Sequence, residues 1–277
     1  MAFQEFLDGV PLLLLLLLTI LLMITFIEIG FRVAQRHQVK PNKPQMAQVR
    51  AIMGASLGLL AFMLAFSFSM AQRHFEYRTD AYLLEITAVG SAYRGADLLE
   101  TKYQQAAKEL LREFVALRRE TTTAVDANDF ESVVEKIHSA ERIHDQLWSI
   151  AESSMATEGD SVDASIFVNA ILAMINANDE RLQATVFNRI SPIIWTTLFL
   201  MSLLSMIIMG FQAGLTGTHS RLATWTLAIT FSAVIILVTD LDRPRMSLFK
   251  MNQQLMVELQ NRINPVYVSA DQTRRLR

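Results

Sequence analysis

The sequence predicts an all-α membrane protein: four transmembrane helices in two hairpins, with a helical-bundle extramembrane domain between spans two and three. Three observations predict it. Four apolar windows each approach the ~20 residues that a helix needs to cross a bilayer. No segment alternates strictly, as a half-buried strand would. The second window runs straight into the charged stretch AQRHFEYRTDAYLLE with no Pro, and no Gly before Gly90, so one helix continues from lipid into water.

The first window, Val10 to Ile29, has no basic residues before it and no small-residue cleavage pattern, and it is longer than a signal-peptide core, so a retained span is expected. Its leucine run, Leu12 to Leu18, has no small or polar face and is expected to meet lipid. Around Pro41, Asn42, Lys43 and Pro44 a loop is expected, because proline fixes φ and donates no hydrogen bond. Span two is the window Ala51 to Met70. Ile190 to Gln212 and Ala223 to Thr239 form the second hairpin, with Gly210, Gly214 and Gly217 near its short connection.

Between the hairpins, apolar residues recur at helical spacing: Leu110, Leu111, Phe114 and Leu117, then Val133, Val134, Ile137, Ile143, Leu147 and Ile150. Asp126 to Asp129 reads as a helix start and Thr157 to Asp160 as a turn. A helix from about Val162 to Asn188 is expected to re-enter the membrane, with Pro192 tolerated in its first membrane turns. After span four, Leu248, Met251, Leu255, Leu259 and Ile263 make an apolar stripe that ends at Pro265 and needs a cover. The expected domains are 1–71, the first hairpin; 72–189, the helical domain; 190–240, the second hairpin; and 241–277, an amphipathic tail.

At 277 residues, 52% hydrophobic and with a formal net charge of −2, the chain carries no nucleic-acid signal. It has no cysteine, which excludes disulfides, thiolate catalysis and Cys-ligated zinc. Glu135-x-x-His138 followed by Glu141-x-x-His144 superficially suggests a di-iron bundle, but that chemistry needs the units on facing helices and here both fall on one. No His-Glu-x-x-His, phosphate loop or serine elbow occurs. No enzyme, cofactor or metal is expected.

The segment GLLAFMLAFSFSMAQRHFEYR resembles the second membrane helix of bacterial bestrophins, where an apolar, Phe-containing run leads to Arg-Trp-Trp-Glu-Gly-Arg. Arg73, Phe75, Glu76 and Arg78 match that signature; His74 and Tyr77 depart from it, and the Phe-to-Arg spacing is one residue short. The chain is more similar still to bestrophin-like membrane proteins of unknown function, through NAILAMINANDERL, Pro192, and the run Asp240, Leu241, Asp242, Arg243, Pro244. The resemblance implies a homo-oligomer, pentameric by analogy, passing small inorganic ions along an axis lined by span two. It places Phe62, Phe66 and Gly58 at the pore constriction, or Leu57, Ala61 and Ala65 if the one-residue gap is moved.

Other residues carry structural and functional readings side by side. Gly54 and Gly58, continued by Ala61 and Ala65, are a small-residue stripe for helix packing, within one chain or between copies. Asn176, Asp179 and Arg181 could bond to Arg73, Glu76 or Arg78 and tie the hairpins together. Asp240, Asp242, Arg243 and Pro244 form a membrane-exit motif, with Arg243 expected to pair with a carboxylate. Glu28 and Arg32 stand four apart, as an ion pair at the end of span one requires. Arg73 and Arg78 near the inner mouth could enrich anions. The rival to a channel is a non-conducting sensor or scaffold whose helical domain binds a ligand or partner. Basic residues after span one favour an outside N-terminus, while Arg189, Arg243, Arg245 and Lys250 favour a cytoplasmic domain and tail; the second signal is followed, giving a multi-pass cell-membrane protein with its helical domain in the cytoplasm.

Overall fold

The computed structural model describes residues 9–36, 42–126, 130–158, 161–186, 188–217, 220–243 and 254–264. Among them are the helices α1 (Leu12–Arg36), α2 (Lys43–Gly95), α3 (Thr101–Asp126), α4 (Phe130–Glu158), α5 (Val162–Val186), α6 (Pro192–Thr216), α7 (Arg221–Asp242) and α8 (Gln254–Ile263), with a 3-10 turn at Ala96–Leu98 and no strand. Helices α1, α2, α6 and α7 are long and apolar enough to cross a membrane. The 53 residues of α2 would extend about 80 Å at 1.5 Å per residue.

The chain divides into two compact units: Met1–Phe75 with Arg189–Phe249, and Glu76–Asn188 with Lys250–Arg277. In the membrane unit, α1 packs on α6 and α7. Its inner stripe is Leu15, Thr19, Met23, Ile27, Gly30 and Ala34, at three- and four-residue spacing. Leu13, Leu14, Leu17 and Leu18 lie outside, as a lipid-facing surface should. Close approach of α1 and α6 depends on glycine. A Cβ built on Gly30 would lie 2.1 Å from the Ile207 carbonyl oxygen, and one on Gly214 would lie 2.7 Å from that of Phe31. Gly210 and Gly214, though near the last connection in sequence, are therefore packing residues inside α6 and not part of the turn. Gly217 alone serves that turn, with φ 65°.

Two expectations about helix ends need correction. Pro44 lies inside the first turn of α2, where a missing N–H costs nothing. Asn42 caps that turn: its Oδ1 accepts from the Gln45 N–H (3.0 Å), and Gln45 Oε1 accepts from the Asn42 N–H (3.1 Å). The expected continuous helix from Val162 into span three is instead broken after Val186, and Pro192 starts a new helix at its first position. Residues 127–129, 159–160, Pro41, Pro244, Leu248, Met251 and Pro265 lie outside the described residues.

The second unit is a bundle of α3, α4, α5, α8 and the water-going half of α2. Its core takes Val89 and Ala92 from α2 and Ala96 from the 3-10 turn, with Leu111 and Phe114, Ile143 and Leu147, and Phe167 and Ile171 from the next three helices. Val134, expected on the core face, is half exposed. The tail helix α8 is covered by its own bundle. Met256, Leu259 and Ile263 are buried, and the Ile263 carbonyl accepts from the Arg112 Nε–H (3.0 Å) and Tyr93 hydroxyl (3.2 Å).

Candidate functional site: the two faces of the pore-candidate helix

Within the membrane unit α2 has two opposed faces. Leu60, Leu64, Ser67 and Ala71 are buried. They recur at three and four residues, so they form one stripe. Opposite, at 100° per residue, stand Gly58, Phe62, Phe66, Ser69 and Arg73 within an arc of about 80°. All five are exposed, Phe62 by 66% and Phe66 by 51%. A Cβ on Gly54 or Gly58 would meet nothing within 4 Å. Among the described residues, therefore, Gly54 and Gly58 pack against no other helix of this chain. Ala61 and Ala65 lie on the shoulder of that face, in an open carbon-lined groove of about 370 Å³ shared with Phe68 and with Thr230, Phe231 and Val234 of α7.

Arg73 folds back along its own helix, with Nη2 3.4 Å from Ser69 Oγ. Arg78 is buried, on the other side of the helix from Arg73 at 100° per residue. Glu28 and Arg32 pair at 2.7 Å on the exposed side of α1.

At the far end of α7, Asp240, Asp242 and Arg243 are buried, each exposed by 2% or less. Asp242 is a joint between helices. Its Oδ1 accepts from the Ile190 N–H (2.8 Å), one residue before the Ser191 cap of α6. Its Oδ2 lies 3.4 Å from the Trp195 indole nitrogen, and His74 Nδ1 stands 3.9 Å from Oδ1. The carboxylate thus fixes the backbone just before α6, whose capping Ser191 makes no side-chain bond.

The helical domain holds a buried ion cluster of its own. Glu85, fully buried, accepts from Arg118 Nε (2.7 Å) and from Arg181 Nη1, while Arg118 also donates to Asn178 Oδ1. The Arg181 guanidinium lies 5.0 Å from the Tyr82 ring and that of Arg118 5.2 Å from Phe114. Burial would raise the Glu85 carboxyl, but Arg181 and then Arg118 outweigh it and hold it below its ordinary range. Arg181 reaches α2 at Glu85, a residue other than the expected Arg73, Glu76 or Arg78. Asp179 is exposed and accepts from Asn178 (3.2 Å); Asn176 is exposed.

Glu85, Arg118 and Asn178 are absent from the residues singled out in the sequence. Their signal is present: Tyr82, Glu85, Val89, Ala92 and Ala96 form one helical stripe in which Glu85 is the polar intruder. The two Glu-x-x-His units separate in the fold. His138 is exposed and stands 3.1 Å from Glu141, whereas His144 is buried with its ring centroid 5.1 Å from that of Phe114.

The Bestrophin-like domain family matches residues 11–244. The chain belongs to the bestrophin-like family. A bacterial bestrophin homologue from Klebsiella pneumoniae carrying one substitution superposes on it with a TM-score of 0.62 at 14% identity, over 91% of this chain and 97% of the homologue. A second single-site variant of that homologue gives 0.61 at 13%, with the same coverage. A crystal structure described only as a membrane protein gives 0.61 at 15%, again over 91% and 97%. At these identities the likeness concerns the fold. No curated protein matches. This bestrophin-like chain is thus an all-α membrane protein with four candidate spans.

Proposed function

We propose that this protein is a homo-oligomeric ion channel whose pathway is lined by the exposed face of α2, with Phe62 and Phe66 at the constriction and Gly58 beside them. The observation that carries the reading is the two-faced α2: one stripe buried in its own subunit, the other large, apolar and open. Phenylalanines repeated around an axis make a narrow ring that gates by expelling water. The small residues Gly54, Ala61 and Ala65 let neighbouring copies approach closely. Five subunits are proposed by analogy with the bestrophins, and the helical domain is placed in the cytoplasm, with Arg73, Glu76 and the Asp240–Arg243 exit segment near that mouth.

Purified protein in liposomes, assayed for ion flux as wild type, Phe62→Ala and Phe66→Ala, tests the reading. Higher flux in the alanine variants supports a hydrophobic gate. No flux in any of the three, from folded protein, replaces the channel with the sensor or scaffold. Native mass spectrometry reports subunit number. Because the chain has no cysteine, single cysteines introduced in the helical domain report its side of the membrane by impermeant labelling of cells.

A further inference from the structure

Five charged positions on the described part of α2 before Thr87 are exposed to bulk or bilayer: Lys43, Arg50, Arg73, Glu76 and Asp80. Arg50 and Arg73 bracket the apolar segment, 23 residues apart by number, or about 35 Å of helix against a hydrocarbon core of ~30 Å. Around the helix they differ. Arg73 falls inside the arc of Phe62 and Phe66, whereas Arg50 falls about 80° beyond Gly58 on the other side, roughly 120° from Phe62.

Resting on the channel reading above, we propose that Arg73 is the selectivity-determining side chain of the α2 pathway, a guanidinium that attracts small inorganic anions at the end of the phenylalanine constriction. Glu76 and Asp80 follow on the same arc and oppose it, so distance decides the sign. Measured along the helix from Phe66, Arg73 lies about 10 Å away, Glu76 about 15 Å and Asp80 about 21 Å. With a screening length of ~8 Å, the potential of Arg73 at the constriction exceeds that of the two carboxylates together by roughly a factor of two. Arg78 does not add to it, because it is buried. Arg73 bonds within its own helix, to the Ser69 carbonyl and hydroxyl at 3.4 Å each, so its removal leaves the packing intact.

The same exposed guanidinium at a membrane edge could hold a lipid phosphate instead, and the experiment separates the two sources of anion. Reversal potentials are measured in a KCl gradient across planar bilayers of neutral lipid for wild type, Arg73→Gln, Arg73→Glu, Glu76→Gln and Arg50→Gln. The expected result is anion preference in wild type, lowered several-fold in Arg73→Gln and inverted in Arg73→Glu, raised in Glu76→Gln and unchanged in Arg50→Gln. A conducting Arg73→Gln with the wild-type reversal potential overturns the inference and leaves the channel standing, as does a cation-preferring wild type. In the first case, a thermal stability that depends on added anionic lipid in wild type and not in Arg73→Gln assigns the guanidinium to a headgroup. No current from any folded variant removes the channel reading and this inference with it.

Discussion

A Cβ placed on Gly210 would lie 1.9 Å from the Ile27 carbonyl oxygen, so α1 and α6 meet backbone against backbone. Nothing flexible can move aside there. Gly210→Ala is expected to cost at least the ~3 kcal/mol at the upper end of ordinary overpacking, whereas Gly58→Ala, built into open space, leaves the subunit fold unchanged. Thermal melting in detergent, followed by size-exclusion chromatography, checks this. Equal shifts for the two variants would mean that the glycine seam does not hold the hairpins together.

Glu85 accepts from both Arg118 and Arg181. Removing it leaves two largely buried guanidiniums around an empty acceptor, so Glu85→Ala is expected to destabilise the protein by about 3–5 kcal/mol. Its partners are tied to one another through it. A double-mutant cycle of Glu85→Gln with Arg181→Gln should therefore be strongly non-additive, the second change costing much less once the first is made. Additive losses would show that the cluster is not an energetic unit.

The spans and the length of α2 are legible in the sequence because lipid demands long apolar runs with every backbone group satisfied internally. Pairing is less legible. Glu85 meets Arg118 and Arg181 across 33 and 96 residues, and no local pattern selects those partners from the other arginines. Gly210-x-x-x-Gly214 carries the same small-residue signal as Gly54-x-x-x-Gly58, yet only the fold shows that the first pair is used within the subunit and the second is left open. The break at residues 188–191 is hidden for a related reason. Proline suits both a first helical turn and a kinked span, and no local pattern points to Asp242, which takes the Ile190 N–H from 52 residues away.

Acid should loosen the helical domain in two steps. Burial, reinforced by Arg118, holds the His144 imidazole below its ordinary 6.5, against the attraction of Asp179, Glu85 and Asp145. The unfolded chain then binds the proton first, so stability falls as pH drops below about 6.5, by up to ~1.4 kcal/mol per pH unit, until the folded value is reached. Glu85, depressed below its ordinary 4.5, adds a second loss only as pH falls beneath that value. Melting temperatures measured from pH 8 down to about pH 3 should show both declines in wild type and only the lower one in His144→Leu. Parallel curves would assign the upper decline to another group.

Asp242 joins the end of α7 to the start of α6 through the Ile190 N–H and the Trp195 indole. Asp242→Ala strands a buried backbone donor, a loss of about 1–3 kcal/mol. Asp242→Asn keeps a carbonyl oxygen for that donor and should lose less. Trp195 is 1% exposed, so in a Trp148→Phe, Trp225→Phe background its emission reports melting of this joint alone. The expected order of midpoints is parent, then Asp242→Asn, then Asp242→Ala. If asparagine falls as far as alanine, the negative charge at this buried position matters more than the hydrogen bond to Ile190, and the joint is electrostatic.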